Sequence, residues 1–352
     1  MISLISDKRE SLMSSSVDKS SGTQSSLTGK SIVYGGIAWA VVSLLFFLLF
    51  GITSPEEDTP LWYLIGTYVL ELLPFLVAAL LCYRNWRSPT IASGRNVWLG
   101  IGLGMTSFFI GGLLFGWWEL YWGLNPDVSP ADFFYLICYL CVGWGMILAV
   151  LPRRLNLEAW QWVTVAVIAA AGIALAVWVL LATPADSTAA NLTVVPSATE
   201  QAASPRTSAS SMAPTAPTKL PTSATSAVPD EISEKSQPAW ITSIQDTLNP
   251  LSRPVNFFYI VGDVFLLIIA STLLLAFWGG RFVQSWRMIA AATFSLYIAD
   301  MWFKYEDATA VKYESGSLLE VFYVFSGVLF AIGAALEYDV SSRSRRSARR
   351  RA

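Results

Sequence analysis

Five carboxylates lie inside otherwise apolar stretches of this chain: Glu71, Asp132, Asp263, Asp300 and Glu320. An ionised side chain at the centre of a membrane helix costs on the order of 2.5–3.5 kcal/mol on insertion scales, so such groups face the protein interior. Three of the acids belong to a recurring pattern. Asp132-Phe133-Phe134-Tyr135, Asn256-Phe257-Phe258-Tyr259 and Glu320-Val321-Phe322-Tyr323 each set a polar residue three positions ahead of a tyrosine. Small or polar residues follow three or four positions on: Cys138 and Tyr139, Gly262 and Asp263, Ser326 and Gly327. On helices that start at one membrane face, equivalent positions share a depth, and a polar cleft can form where they converge. The candidate ligand-binding set is therefore Asp132, Tyr135, Tyr259, Asp263, Asp300, Glu320 and Tyr323, together with Glu71, three residues before Pro74. Asp132 and Glu320 have a structural alternative, as first-turn acids favoured by the helix dipole. Asp263 leads the set, because it is an isolated acid about two turns deep beside Gly262, whose missing side chain leaves room for a ligand or another backbone.

Other chemistry is excluded or weak. The chain contains no histidine, which removes Ser-His and Cys-His catalysis and histidine-ligated metals. Cys138 and Cys141 share a helical face, but their spans border no cysteine-bearing outer loop with which to exchange a disulfide, so they are expected to pack as small apolar groups. Lys304, four residues after Asp300, is expected to snorkel to the interface. No catalytic residue, metal ligand set or cofactor is expected, and no nucleic-acid partner.

The elements that must position these residues are read from apolarity. Of 352 residues 54% are apolar and 14% charged, against about a quarter charged in soluble domains. A span needs about 20 mostly apolar residues. Eight stretches qualify: 31–52, 61–82, 97–118, 132–151, 159–182, 255–278, 283–303 and 318–338. The first is an anchor rather than a cleaved signal peptide, since its apolar run is too long and lacks a small-residue cleavage site. The expected fold is all-α, a polytopic transmembrane helix bundle of about eight helices built from three or four helical-hairpin repeats. The cleft is expected between the fourth, sixth, seventh and eighth spans. Gly100-x-x-x-Gly104 and Gly112-x-x-x-Gly116 in the third span predict close helix packing.

Segments outside the spans complete the organisation. Residues 1–30 form a Ser/Thr/Lys-rich tail expected to be disordered. Spans one to five cover 31–182. Residues 183–254 hold ten of the 17 prolines and read as a disordered extracytoplasmic loop dispensable for folding, although Trp240, Ile241, Ile244 and Leu248, at helical spacing near its end, suggest a short helix lying on the outer interface. Spans six to eight cover 255–338, and 339–352 is an Arg-rich tail suited to anionic lipid. With the N-terminus inside, 17 of the 23 basic residues fall on inner segments, so both termini are expected to be cytoplasmic.

The run Ser129-Pro130-Ala131-Asp132-Phe133-Phe134-Tyr135 resembles a segment of the multi-helix membrane sensory regions that precede diguanylate cyclase or histidine kinase domains in bacteria. Ile298-Ala299-Asp300, Tyr313, Gly316 and Glu320-Val321-Phe322-Tyr323 resemble the last hairpin of such regions. The likeness covers about residues 95–338 apart from the long loop. It implies a sensory module in a bacterial cytoplasmic (inner) membrane. Only 14 residues follow Tyr338, so signalling through a separate cytoplasmic or membrane partner is expected. A transporter or channel for a small solute is the second reading, and a membrane-embedded enzyme the third.

Overall fold

A computed structural model describes residues 29–51, 59–124, 128–151, 158–182, 238–277, 282–309 and 315–349. Among these there is no strand. The helices are α1 (Gly29–Phe50), α2 (Leu61–Arg87), α3 (Arg95–Trp122), α4 (Pro130–Val150), α5 (Ala159–Ala182), α6 (Ala239–Leu248), α7 (Ser252–Ala276), α8 (Val283–Thr309) and α9 (Val321–Arg349). Seven stretches are long and apolar enough to cross a membrane, with α6 and α7 counted as one continuous run. The other membrane-length helix, α8, has 27 residues but is less apolar, because it carries Arg287, Asp300, Lys304, Glu306 and Asp307. It is buried around most of its circumference, by α9, α7 and α5.

Six helices close into a ring in the order α2, α3, α4, α7, α8, α9 and back to α2. Helix α1 packs outside the ring on α9 and α2, and α5 packs outside on α7 and α8. The start of α1 meets the far part of α9 at Gly29 and Asp339, while Gly51 lies by Gly316. The beginning of α1 and the end of α9 therefore share one end of the bundle, as eight passes require. At the other end, the loop end, α1, α3, α5 and α8 finish and α2, α4, α6 and α9 start.

Local sequence sets the helix boundaries. Ser129 caps α4: its hydroxyl accepts from Ala131 N at 3.2 Å, and Asp132 Oδ2 accepts from Ser129 N at 2.7 Å. Pro130 occupies the first helical position, where its missing N–H costs nothing. Gly123, at φ 63°, closes α3 in the left-handed region. Inside α2, Pro74 removes the donor that would meet the carbonyl of Leu70, four residues back. The Trp39 indole of α1 donates to that carbonyl instead, at 3.0 Å. In hydrocarbon such a replacement matters, because no water can satisfy a freed backbone group.

The half of the ring away from the loop end is packed solid. Trp98, Ile101, Met105, Val142, Met146, Trp286 and Phe330 are fully buried. Phe277 stacks on Trp286 with centroids 4.7 Å apart, and Phe75 on Phe108 at 3.9 Å. Glycines bring the helices together: Gly100 and Gly104 face α4, whereas Gly112 and Gly116 face Leu72 and Tyr68 of α2.

Two boundaries differ from the sequence reading. Helix α1 begins at Gly29, so residues 29 and 30 are helical. The expected tail at 339–352 is helical as far as Arg349, because Ser, Arg and Ala permit helix continuation once the apolar run has ended. The short helix that the spacing of Trp240, Ile241, Ile244 and Leu248 suggests near the end of the 183–254 segment is α6, with Ile241 fully buried and Trp240 among Trp117, Trp118 and Trp122 of α3. Residues 1–28 and 183–237, with the disorder expected of them, lie outside the described residues.

Candidate functional site

A cleft of about 100 Å³ is set into the loop end of the ring. All six ring helices contribute to it, and neither α1 nor α5 does. From α2 come Tyr68 and Glu71, from α3 Phe108 and Phe115, and from α4 Asp132, Tyr135 and Tyr139. Helix α7 adds Asn256 and Tyr259, and α8 adds Asp300, Phe303 and Lys304. Glu320, in the 3-10 turn before α9, and Tyr323 complete the wall with Ser315. The repeated positions therefore meet: Asp132, Asn256 and Glu320 lie near the helix ends, and Tyr135, Tyr259 and Tyr323 lie one turn deeper.

Hydrogen bonds fix most of these side chains. Asp132 serves two purposes, since its Oδ2 caps α4 while its Oδ1 accepts from the Tyr259 hydroxyl at 2.7 Å. Glu320, 3% exposed, accepts from Gly316 N at 2.7 Å; φ at Gly316 is 115°, a conformation that favours glycine. At the rim, Glu119 accepts from the Tyr68 hydroxyl and from Ser315 N. Lys304 donates to Asn256 Oδ1 at 3.3 Å, and its ammonium lies 4.4 Å from the centre of the Tyr259 ring. This lysine turns into the cleft wall instead of snorkelling outward, because tyrosine and asparagine offer it partners there.

The floor is a hydrogen-bonded chain. The Tyr139 hydroxyl is shared between Asp263 Oδ1, at 2.6 Å, and Asp300 Oδ2, and Tyr323 donates to Asp300 Oδ1 at 2.7 Å. A hydroxyl has one proton, and an ionised carboxylate donates none. The two bonds at Tyr139 therefore require one further proton, carried by Asp263 or Asp300.

Asp263 itself is not part of the lining. It sits 2% exposed behind Tyr139, and the space left by Gly262 is filled by the Tyr139 ring, 2.9 Å from where a Cβ would stand. The other seven candidates line one cleft, which also takes in α2 and α3, beyond the four spans expected. Sequence reasoning missed Tyr68, Phe108, Phe115, Tyr139, Asn256, Phe303, Lys304 and Ser315 as site residues. Tyr68 was accessible to it, since it precedes Glu71 by three positions and shares its helical face. Phe108 and Phe115 were not, because aromatics on an apolar helix carry no positional signal. Cys138 and Cys141 are free thiols. Among the described residues no group of three or more acidic or cysteine side chains could hold a metal ion.

The fold and this cleft define the class: the chain is a polytopic α-helical integral membrane protein with a polar, aromatic pocket at one end of a six-helix ring. Comparison with known proteins gave no match to any family model, curated protein or solved structure.

Proposed function

We propose that the protein is a membrane sensory module. It takes a small ligand into the cleft on the extracytoplasmic side of a bacterial cytoplasmic membrane and signals through a separate partner. The observation that carries this reading is the course of α9. Glu320 and Tyr323 at its start line the cleft, and the same helix runs on to Arg349 at the opposite end. There it is fixed to the end of α2, where Asn85 donates to the Ala334 carbonyl at 2.8 Å, and to the connection between α2 and α3, where Ser93 donates to Glu337 at 2.7 Å. A rigid element with one end in the ligand site and the other at the far surface can bias a partner there. The closed inner half of the ring also supports a receptor over a pore. Its Arg-rich end would rest against anionic lipid, at about 1 kcal/mol per basic residue near the surface, or against the partner. The bias of Lys and Arg toward that end supports its cytoplasmic placement.

One observation favours the second reading, a proton-coupled transporter: the additional proton between Asp263 and Asp300 sits beneath the ligand space. Cysteine labelling separates the two. In a background lacking Cys82, Cys138 and Cys141, Asn256→Cys should react with an impermeant maleimide added to intact cells, and Arg343→Cys only after permeabilisation. Arg343 is exposed, with 71% of its side chain accessible. Reaction of Asn256→Cys from the cytoplasmic face of inverted vesicles would show alternating access and sink the receptor reading.

A further inference from the structure

The cleft's lining identifies a class of ligand. Resting on the reading above that the cleft is a ligand site, we infer that it binds a small organic cation, an alkylammonium or quaternary ammonium ion, and that Lys304 is a built-in competitor for that ion.

Charge comes first. Four carboxyl groups, Glu71, Asp132, Asp300 and Glu320, line the cleft against one lysine. Their capacity is unequally committed. Asp132 caps α4 and accepts from Tyr259, Asp300 accepts from two tyrosines, and Glu320 holds Gly316 N. Among the described residues Glu71 has no hydrogen-bond or ion-pair partner, although it lies on the wall of a cavity inside a membrane helix. Ionising a carboxyl in that position is costly unless a positive charge comes to it, which assigns Glu71 as the anchor for an entering cation.

The aromatic faces decide what kind of cation fits. Phe108, Phe115, Tyr135, Tyr259, Phe303 and Tyr323 surround the space, and aromatic faces attract diffuse organic cations. A metal ion instead needs several oxygens converging on one point, and no such group exists among the described residues. The protein already demonstrates the interaction, since the Lys304 ammonium sits 4.4 Å from the centre of Tyr259. A free ammonium entering the cleft meets that fixed positive charge. The volume of about 100 Å³ holds several waters or an ion of a few heavy atoms.

The test uses the full chain purified in detergent and two probes that carry a methyl reporter, tetramethylammonium and acetate, titrated by saturation-transfer NMR with sodium chloride as the ionic-strength control. Tetramethylammonium should bind saturably and acetate should not. Lys304→Met should tighten tetramethylammonium about tenfold, and Glu71→Gln should weaken it about tenfold, since a unit charge roughly 10 Å away in a partly buried site acts at that scale. The two variants are scored only as monodisperse protein, and their opposite signs protect the result against a general loss of structure. Saturable acetate binding that Lys304→Met abolishes would overturn the inference while leaving the cleft a ligand site, one for anions. Tetramethylammonium binding indifferent to both variants would place the ion elsewhere and overturn the inference too. If neither probe binds, the inference and the ligand-site reading both fall.

Discussion

Gly145→Val should abolish assembly of the bundle, read as loss of monodisperse protein after detergent extraction. The cause is backbone contact. A Cβ on Gly145 would stand 2.9 Å from the Val97 carbonyl oxygen and 3.0 Å from Ile101 N. A Cβ on Gly100, across the interface, would meet the Cys141 carbonyl oxygen and Gly145 Cα, each at 2.9 Å. Rotamer changes cannot relieve such contacts, so α3 and α4 would have to separate along the most extensive interface of the ring. Ordinary overpacking costs about 1–3 kcal/mol, and here the strain spreads along two helices that gain their association from close approach. Gly143→Ala is the control. Its added Cβ would meet only side-chain atoms of Leu266 and Phe265, at 3.4 Å and beyond, and the variant should melt with the parent. Normal yield and melting for Gly145→Val would show that the two helices do not meet in this way.

The second large effect is expected at the cleft floor. Tyr139→Phe removes the hydroxyl shared by Asp263 and Asp300 and leaves both acids in a buried site without it. Loss of one partner of a buried polar pair costs about 1–3 kcal/mol, and here two carboxyls lose the same partner. The melting midpoint should fall by several degrees, and ligand binding in the cleft should go with it. Asp263→Asn should behave differently. Its amide N–H can donate to the Tyr139 oxygen in place of the carboxyl proton, leaving Tyr139 free to donate to Asp300. This variant should keep a melting midpoint close to the parent's. Equal collapse of both variants would show that Asp263 is ionised and that no additional proton is held there.

The repeat of an acid or amide three residues before a tyrosine was enough to bring Asp132, Tyr135, Asn256, Tyr259, Glu320 and Tyr323 to one place. It works because those helices enter from the same end, and equal offsets from the entry point become equal depths. What the pattern could not give is which helices are neighbours. The ring passes from α4 to α7 and leaves α5 outside, so chain order misleads about the wall. Hydropathy placed Lys304 at an interface because it scores a residue by its segment, whereas the lysine's position is decided by Asn256 and Tyr259 on another helix. Asp263 illustrates the same limit. Its depth was readable, but the Tyr139 ring that covers it comes from 124 residues away. Tail boundaries were blurred for a different reason, because apolarity marks where lipid ends and not where a helix does.

The indole of Trp39 at the Leu70 carbonyl also bears on how the chain enters the membrane during synthesis. Taken alone, α2 carries two liabilities in hydrocarbon, a carbonyl stripped of its donor by Pro74 and the carboxyl of Glu71 one turn before that proline. Helix α1 precedes it and has no charged residue within its apolar run, so it can partition into lipid unaided. Once there, it offers a donor to the carbonyl that Pro74 leaves open in its successor. The pair is therefore better suited to hydrocarbon than α2 alone, since the carbonyl is satisfied only when Trp39 is beside it. The first helix, which contributes nothing to the wall of the cleft, thus completes the backbone hydrogen bonding of the helix that contributes Glu71.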